Sequence, residues 1–481
     1  MTNYFETYAL SEALLKAIHL LGYERTTKVQ EEVLPLLLNE QDVVVKSQTG
    51  SGKTAAFAIP ICENVTWEEN RPQALVLTPT RELALQVQED FFNIGRFKRI
   101  KAVGLYGKAP FHIQQKELKQ KTHVVVATPG RLLDHLEQGT IVTDAIRYLV
   151  IDEADEMLKM GFLEEVGQII ERLPKTRTTM LFSATLPNDI KALCKRYMTE
   201  PVEISISPEN VANTTIEAVC YEVTADEKLE ALKRLTKVEH PSCCIIFCNR
   251  KDDVDKVYGA LYSSNYSCAK LHGGMEQKDR FMVMEDFRRG RYRYLVATDV
   301  AARGIDIDHI THVINFDVPE DKENYVHRIG RTGRGGRSGK ALMLVTPRDT
   351  RFMAAIENYV GHRLKREVLP SMEQVSKVQE AFEETMHKPL ERQAKKGEAL
   401  SQDILKLHIN AGKKTKMRPV DIVGTLCNLP GMSAEDIGII NIQDISTYVE
   451  VLNGKGEMVY KVLQKTPIKG RLRRVSKVES R

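Results

Sequence analysis

The sequence predicts an α/β protein: two tandem doubly wound parallel-sheet domains, followed by a small α+β domain. Three observations carry the expectation. Short apolar runs recur between helical patterns through roughly the first 370 residues, as βαβ units with strands covered on both faces require. A Gly-rich loop containing a lysine follows the first run and opens a helix. One run, Leu149-Val150-Ile151, ends directly in Asp152-Glu153, at the strand end where open α/β sheets bind ligands. The chain has 481 residues, too many for one core, and about three domains at ~100–200 residues each are expected.

In the first domain (1–206), strands are expected at 42–45, 74–77, 102–105, 123–127, 148–151 and 179–182. After the first come Ser47-Gln48-Thr49-Gly50-Ser51-Gly52-Lys53-Thr54 and the apolar helix start Ala55-Ala56-Phe57-Ala58. This reads as a phosphate-binding loop, with Ser47 where the general pattern has glycine. Backbone N–H groups and the helix N-terminus attract phosphate, Lys53 reaches the β- and γ-phosphates of ATP, and Thr54 binds Mg²⁺. Asp152 then suits the hydrated Mg²⁺, and Glu153 can orient and deprotonate an attacking water.

A polar stretch at 205–215 interrupts the periodicity and marks a linker. A second βαβ series (207–370) has expected strands at 243–247, around Leu271, and at 294–297, 313–316 and 341–345, with no phosphate loop of its own. Residues 371–403 are read as a linker; as a coil of ~33 residues it would span ~30 Å. The last domain (404–481) reads β-α-β-β-α-β, with a strand at 420–423, a helix opening at 433–436, strands at 439–442 and 448–452, a helix at 457–463 and a strand at 472–475.

Bulk properties exclude several classes. No apolar run approaches the ~20 residues of a membrane helix, so no membrane association is expected. The eight cysteines show no CxxC pairing and read as buried thiols of a cytoplasmic protein. Charge is unevenly placed: residues 413–481 hold 13 Lys and Arg against 7 Asp and Glu, while the rest holds 56 against 58. A polyanion partner at the C-terminal end follows, with a solubilising basic tail as the competing reading.

From Phe5 to about Arg366 the sequence resembles the DEAD-box ATP-dependent RNA helicases, whose name motif is Asp152-Glu153-Ala154-Asp155. The resemblance implies two RecA-like domains that bind ATP, Mg²⁺ and RNA. It implies an adenine-reading site in which Gln30 bonds the base edge and Phe5 stacks on the ring, with Thr26 in place of the family's proline. It assigns RNA backbone contacts to Pro79-Thr80-Arg81 and to Thr128, Gly130 and Arg131; between them Gly107-Lys108 replaces paired glycines. Ser183-Ala184-Thr185 matches the motif linking the acidic site to RNA. In the second domain Arg250, Gly273, Gly274, Gln277, Arg280 and Thr298 are placed toward RNA and Asp306 toward the ATP ribose. His327-Arg328-Ile329-Gly330-Arg331-Thr332-Gly333-Arg334 supplies two arginine fingers, Arg331 and Arg334, each device worth roughly 10³–10⁵ in rate.

The last domain resembles an RNA-recognition motif, specifically that of the DbpA subgroup of these helicases. Tyr448 fills one aromatic position of the third-strand signature, and Ser446 and Val451 occupy the others. Lys413, Lys414, Lys416 and Arg418 lead in, and Lys469, Arg471, Arg473 and Arg474 crowd the end, as phosphate contacts would require. The resemblance implies local separation of short RNA duplexes, aimed at a hairpin of large-subunit ribosomal RNA in pre-ribosomal particles, with no obligate protein partner. An ATP-gated RNA clamp or chaperone acting on a different structured RNA is the alternative.

Overall fold

The computed structural model describes residues 4–47, 50–206, 216–302, 307, 309–333, 337–388 and 397–478. The first lobe is a seven-stranded sheet of β1 (Val43–Lys46), β2 (Ala74–Leu77), β3 (Ala102–Leu105), β4 (Val124–Ala127), β5 (Tyr148–Ile151), β6 (Thr178–Ser183) and β7 (Val202–Ser205). Its order is β3-β4-β2-β5-β6-β1-β7, and every pairing is parallel. Strands β2 to β6 are buried along their whole length, because helices cover both faces.

The second lobe repeats the plan with β8 (Ile216–Glu222), β9 (Cys244–Phe247), β10 (Cys268–Leu271), β11 (Tyr294–Ala297), β12 (His312–Asn315), β13 (Gly339–Val345) and β14 (Lys365–Glu367). The order is β10-β11-β9-β12-β13-β8-β14, again parallel throughout. β7, β8 and β14 are additions to the sequence reading. Edge strands β7 and β14 are mostly exposed, and β8 is buried only in its C-terminal half, so none has a continuous apolar run.

The segment 371–403, expected as a linker, opens with a helix, Met372–His387, capped where Ser371 Oγ accepts from Gln374 N–H at 3.2 Å. Its Phe382 is buried in the second-lobe core beside Tyr266 and His240. Arg293 Nη2 donates to Thr385 O at 3.3 Å. Val375 and Phe382 are buried on one side of this helix, so the first half of the segment is a helix packed on the second lobe and not a coil.

The C-terminal module is an antiparallel sheet of β15 (Leu405–Ile409), β16 (Ile437–Ile442), β17 (Thr447–Val451) and β18 (Val475–Lys477), ordered β16-β17-β15-β18. Helices Pro419–Cys427 and Gly456–Leu463 cover one face, which keeps the β-α-β-β-α-β order but shifts its parts. The expected strand at 420–423 lies inside the first helix. Pro419 starts it, Asp421 accepts from Arg418 N–H at 2.9 Å, and Ile422 and Leu426, four apart, face the core while Val420 is 64% exposed. The first strand is Leu405–Ile409 instead. The helix expected at 433–436 is a single 3₁₀ turn, Ala434–Asp436, because Asp436 turns back to cap Ser433 N–H at 2.8 Å. The last strand starts at Val475, not Leu472, which is 67% exposed.

By compactness the first sheet and this module (1–47, 52–205 and 396–481) form one unit, with 48–51 and 206–395 in the other. All eight cysteines are free and all but Cys427 are buried, with burial raising Cys243 and Cys268 to about 12. Among the described residues no helix is long and apolar enough to cross a membrane.

Candidate nucleotide and nucleic-acid site

Strands β1, β6 and β5 are neighbours, so the loops at their carboxyl ends converge. Ser47 N–H donates to Ser183 O at 3.0 Å, tying the loop after β1 to the end of β6. Helix Lys53–Asn64 starts beyond Gly52, whose φ is +90°. A Cβ at Gly52 would lie 2.7 Å from Gln30 Nε2 and 2.8 Å from Thr27 Oγ1, so space and backbone both demand glycine. Gln30 closes this corner: Nε2 donates to Gly52 O at 3.1 Å and Oε1 accepts from Thr27 N–H at 2.9 Å. An amide has two donors and two acceptor lone pairs, so one of each is left for another group. Phe5 is 2% exposed, in a 3₁₀ turn with its ring 6.5 Å from that of Tyr23. Lys53 is buried and its Nζ donates to Ser47 O at 3.4 Å. Thr54, half-buried, follows in the first helical turn.

Asp152 stands at the end of β5, 3% exposed, and its carboxylate accepts from Glu153 N–H at 3.0 Å. Burial pushes its carboxyl up to about 6, with Lys53 opposing and the charges of Glu153 and Asp155 adding to the rise. Glu153 has φ +53° and ψ 51°, a left-handed conformation disfavoured for a side-chain-bearing residue. That one residue turns the chain from strand into helix Ala154–Lys159. Asp155 is linked to the end of β6: its N–H donates to Ser183 Oγ at 3.2 Å and its Oδ1 accepts from Ala184 N–H at 3.4 Å. Ser183 Oγ in turn donates to Thr185 O at 2.6 Å.

The donors offered here, the Asp152 carboxylate and the Thr54 hydroxyl, are hard oxygens. Among the described residues no group of three or more His, Cys, Asp or Glu is gathered for a metal. One carboxylate and one hydroxyl fit a largely hydrated Mg²⁺ that shares phosphate oxygens, not a self-sufficient protein cage.

The expected RNA contacts of the first lobe follow β2 and β4, which are adjacent. Pro79 is buried, and Thr80 Oγ1 caps helix Arg81–Ile94 by accepting from Leu83 N–H at 3.3 Å, leaving Arg81 half-buried at its first turn. Thr128 leads into helix Pro129–Glu137, with Gly130 exposed. Arg131 is directed into protein: Nη1 donates to Ala109 O at 2.9 Å and Gln114 Oε1 at 2.8 Å, and Nε lies 3.3 Å from Asp134.

In the second lobe, Arg250 (after β9) and Gly273 and Gly274 (after β10) are exposed. Gln277 and Arg280 lie on helix Gln277–Arg288, and Thr298 follows β11, with its N–H on Leu271 O at 3.2 Å. The sequence reading missed the group that binds these loops together. Arg328, 1% exposed, donates to Asp299 Oδ2 at 2.7 Å, Asn249 Oδ1 at 2.8 Å, Asn315 Oδ1 at 3.1 Å and Asp317 O at 2.7 Å. Its signal lay within the string at 327–334. Arg331 is 5% exposed and its Nε donates to His327 O at 3.2 Å. Gln48, Thr49, Asp306 and Arg334 lie outside the described residues.

In the module the two basic segments come together. Lys469 Nζ bonds Lys416 O and lies 2.9 Å from Asp421, which Arg418 also approaches, while Asn410 N–H donates to Arg474 O at 2.9 Å. Lys413, Lys414, Lys416, Arg418, Lys469, Arg471 and Arg474 are exposed and Arg473 half-buried. Tyr448 lies 5.1 Å from the His408 ring, on the sheet face away from the helices.

A phosphate loop against an acidic strand end, on one of two parallel sheets, defines a helicase-type nucleotide hydrolase. The DEAD/DEAH box helicase family matches residues 27–193, the helicase conserved C-terminal domain 227–336, and the DbpA RNA binding domain 406–477. The chain is 53% identical over 475 residues to the ATP-dependent RNA helicase DbpA of Bacillus subtilis, covering 99% of both chains. It is 42% identical over 370 residues to the DEAD-box ATP-dependent RNA helicase CshA of Geobacillus kaustophilus, covering 77% of this chain and 79% of the relative. Among solved structures, S. cerevisiae Dbp5 bound to RNA and ADP BeF3 matches with a TM-score of 0.71 and 31% identity, over 79% of this chain and 99% of that one. The chain belongs to the DEAD-box ATP-dependent RNA helicases of the DbpA type.

Proposed function

We propose that the protein hydrolyses ATP in response to RNA, separates short duplexes locally, and is aimed by its module at a hairpin of large-subunit ribosomal RNA during ribosome assembly in the cytoplasm. The observation that carries the reading is Asp152-Glu153 at the end of β5, facing the loop that Gln30 and Lys53 hold after β1. Gln30 and Phe5 hold the adenine end, and Lys53 with the loop N–H groups holds the phosphates. Asp152 and Thr54 would hold a hydrated Mg²⁺, which would supply neutralisation of phosphate charge when bound. Glu153 orients the attacking water and accepts its proton.

Arg331 and Arg334 act as arginine fingers on the γ-phosphate, and Asp306 holds the ribose. RNA backbone is gripped by Thr80, Arg81, Thr128 and Gly130 in one lobe and by Arg250, Gly273, Gly274, Gln277, Arg280 and Thr298 in the other. Arg131 contributes by shaping its loop. ATP and RNA both favour closure, so each raises the affinity of the other. The match to the DbpA RNA binding domain supports the ribosomal target, and the gathered basic edge supplies the phosphate contacts.

Replacing Glu153→Gln is the test. RNA-stimulated ATP hydrolysis is expected to fall roughly 10²–10⁴-fold with RNA binding retained. If the variant instead held RNA longer and kept its function, an ATP-gated clamp would be the correct reading and hydrolysis-coupled strand separation would not be its role.

A further inference from the structure

The sequence places the C-terminal module on a long tether; the structure shows it against a corner of the first lobe. That corner is built from Lys16, on helix Glu12–Leu20, and from Asn93, Arg96 and Arg99 around the C-terminal end of helix Arg81–Ile94. From the module, Glu450 of β17 points out of the sheet face not covered by helices, since its neighbours Val449 and Val451 point into the core. A carboxylate on an open sheet face is ordinarily solvated, yet Glu450 is 5% exposed, and Arg96, 3.4 Å away, is 7% exposed. Each covers the other. Lys16 Nζ donates to Asn453 Oδ1 at 3.1 Å, and Arg99 Nη2 donates to Ala434 O. Where the chain returns to this lobe, Gly397 has φ +81°, and a Cβ there would meet the Asn93 side chain at 3.1 Å. Leu400, three residues on, is 2% exposed. These hydrogen bonds and the ion pair are complementary in sign, with lysine and two arginines from the lobe against a carboxylate, an amide oxygen and a carbonyl from the module. The like charges of Lys101 in the lobe and Lys413 in the module oppose them.

We propose that the module is docked on the first lobe and moves with it, with Arg96–Glu450 as the pair that sets register. Docking leaves the basic edge at Lys413–Arg418 and Lys469–Arg474 to bind ligand, and couples whatever it binds to helix Arg81–Ile94, whose opposite end carries Thr80 and Arg81. The docking itself does not rest on the identity of the RNA.

Cysteines introduced at Lys16 and Asn453 in the full chain, joined by a short bis-maleimide, read the contact directly. The parental background is expected to cross-link readily. Arg96→Glu and Glu450→Arg should each cut the yield at least ten-fold, and Arg96→Glu with Glu450→Arg together should restore it. Gly397→Val, which touches neither charge, should also lower the yield. ATP hydrolysis with unstructured RNA, measured in parallel without cross-linker, confirms a folded first lobe in every variant. Unchanged cross-linking in both single charge variants, or no recovery in the double variant, would overturn the proposal.

Discussion

Asp152 shows how one residue is set against itself. Its carboxyl must be ionised to hold a metal ion, yet burial raises it from 3.8 to about 6. Between those values the folded state binds more protons than the unfolded chain, so ligand-free stability falls as pH rises from about 4 to 6. Asp152→Asn should therefore raise the melting temperature of the ligand-free protein at pH 7 while abolishing ATP hydrolysis; a lowered melting temperature would show that Lys53 outweighs burial. Arg328 is the opposite case, a buried cation with all its directions satisfied. Arg328→Met leaves Asp299 without its bidentate partner and should destabilise the second lobe by about 3–5 kcal/mol in chemical denaturation. A loss below 1 kcal/mol would contradict the network.

At the scale of elements, β4 and the turn before it carry a proton switch. His123 is fully buried, with Nδ1 accepting from Lys101 N–H at 2.9 Å and Nε2 on Trp67 O at 3.1 Å. The Nδ1 bond requires the neutral ring, while Nε2–H can donate to the Trp67 carbonyl in either state; burial outweighs that carbonyl and lowers the pKa from 6.5 to about 4. The unfolded chain takes up the proton first, so this contribution is whole above pH 6.5 and is lost as pH falls toward 4, about 3 kcal/mol in all. Unfolding followed by fluorescence of Trp67, the single tryptophan, should show a shallower acid slope in His123→Gln than in the parent. Equal slopes would remove His123 from the account. Elements were legible where burial was two-sided: the runs at β2, β4, β5 and β11 were read within a residue. The misread at Val420 has a local cause, since three apolar β-branched residues look like a strand until Pro419 and Asp421 are weighed as helix starters.

For the whole molecule, removing residues 404–481 should leave the chemistry of ATP hydrolysis intact and abolish preference for ribosomal RNA. ATPase rates against a panel of ribosomal RNA fragments, with poly-A as control, measure this; equal stimulation by every RNA in both proteins would refute ribosomal targeting. Exposing the Lys16, Arg96 and Arg99 corner by that truncation should also raise non-specific, salt-sensitive RNA binding.

The sequence by itself determined the doubly wound lobes, the nucleotide loop and the acidic strand end, because each is written in contiguous residues whose spacing is their chemistry. Ser47 to Thr54 and Asp152 to Asp155 needed no partner to be recognised. What only the tertiary structure decided depends on residues far apart in the chain. Gln30 holds Gly52, Arg328 gathers Asn249, Asp299 and Asn315, and Phe382 turns a supposed linker into part of the second core. Arg96 finds Glu450 more than 350 residues later. A buried polar group must meet its complement, and that complement is chosen by the fold and not by the neighbouring sequence.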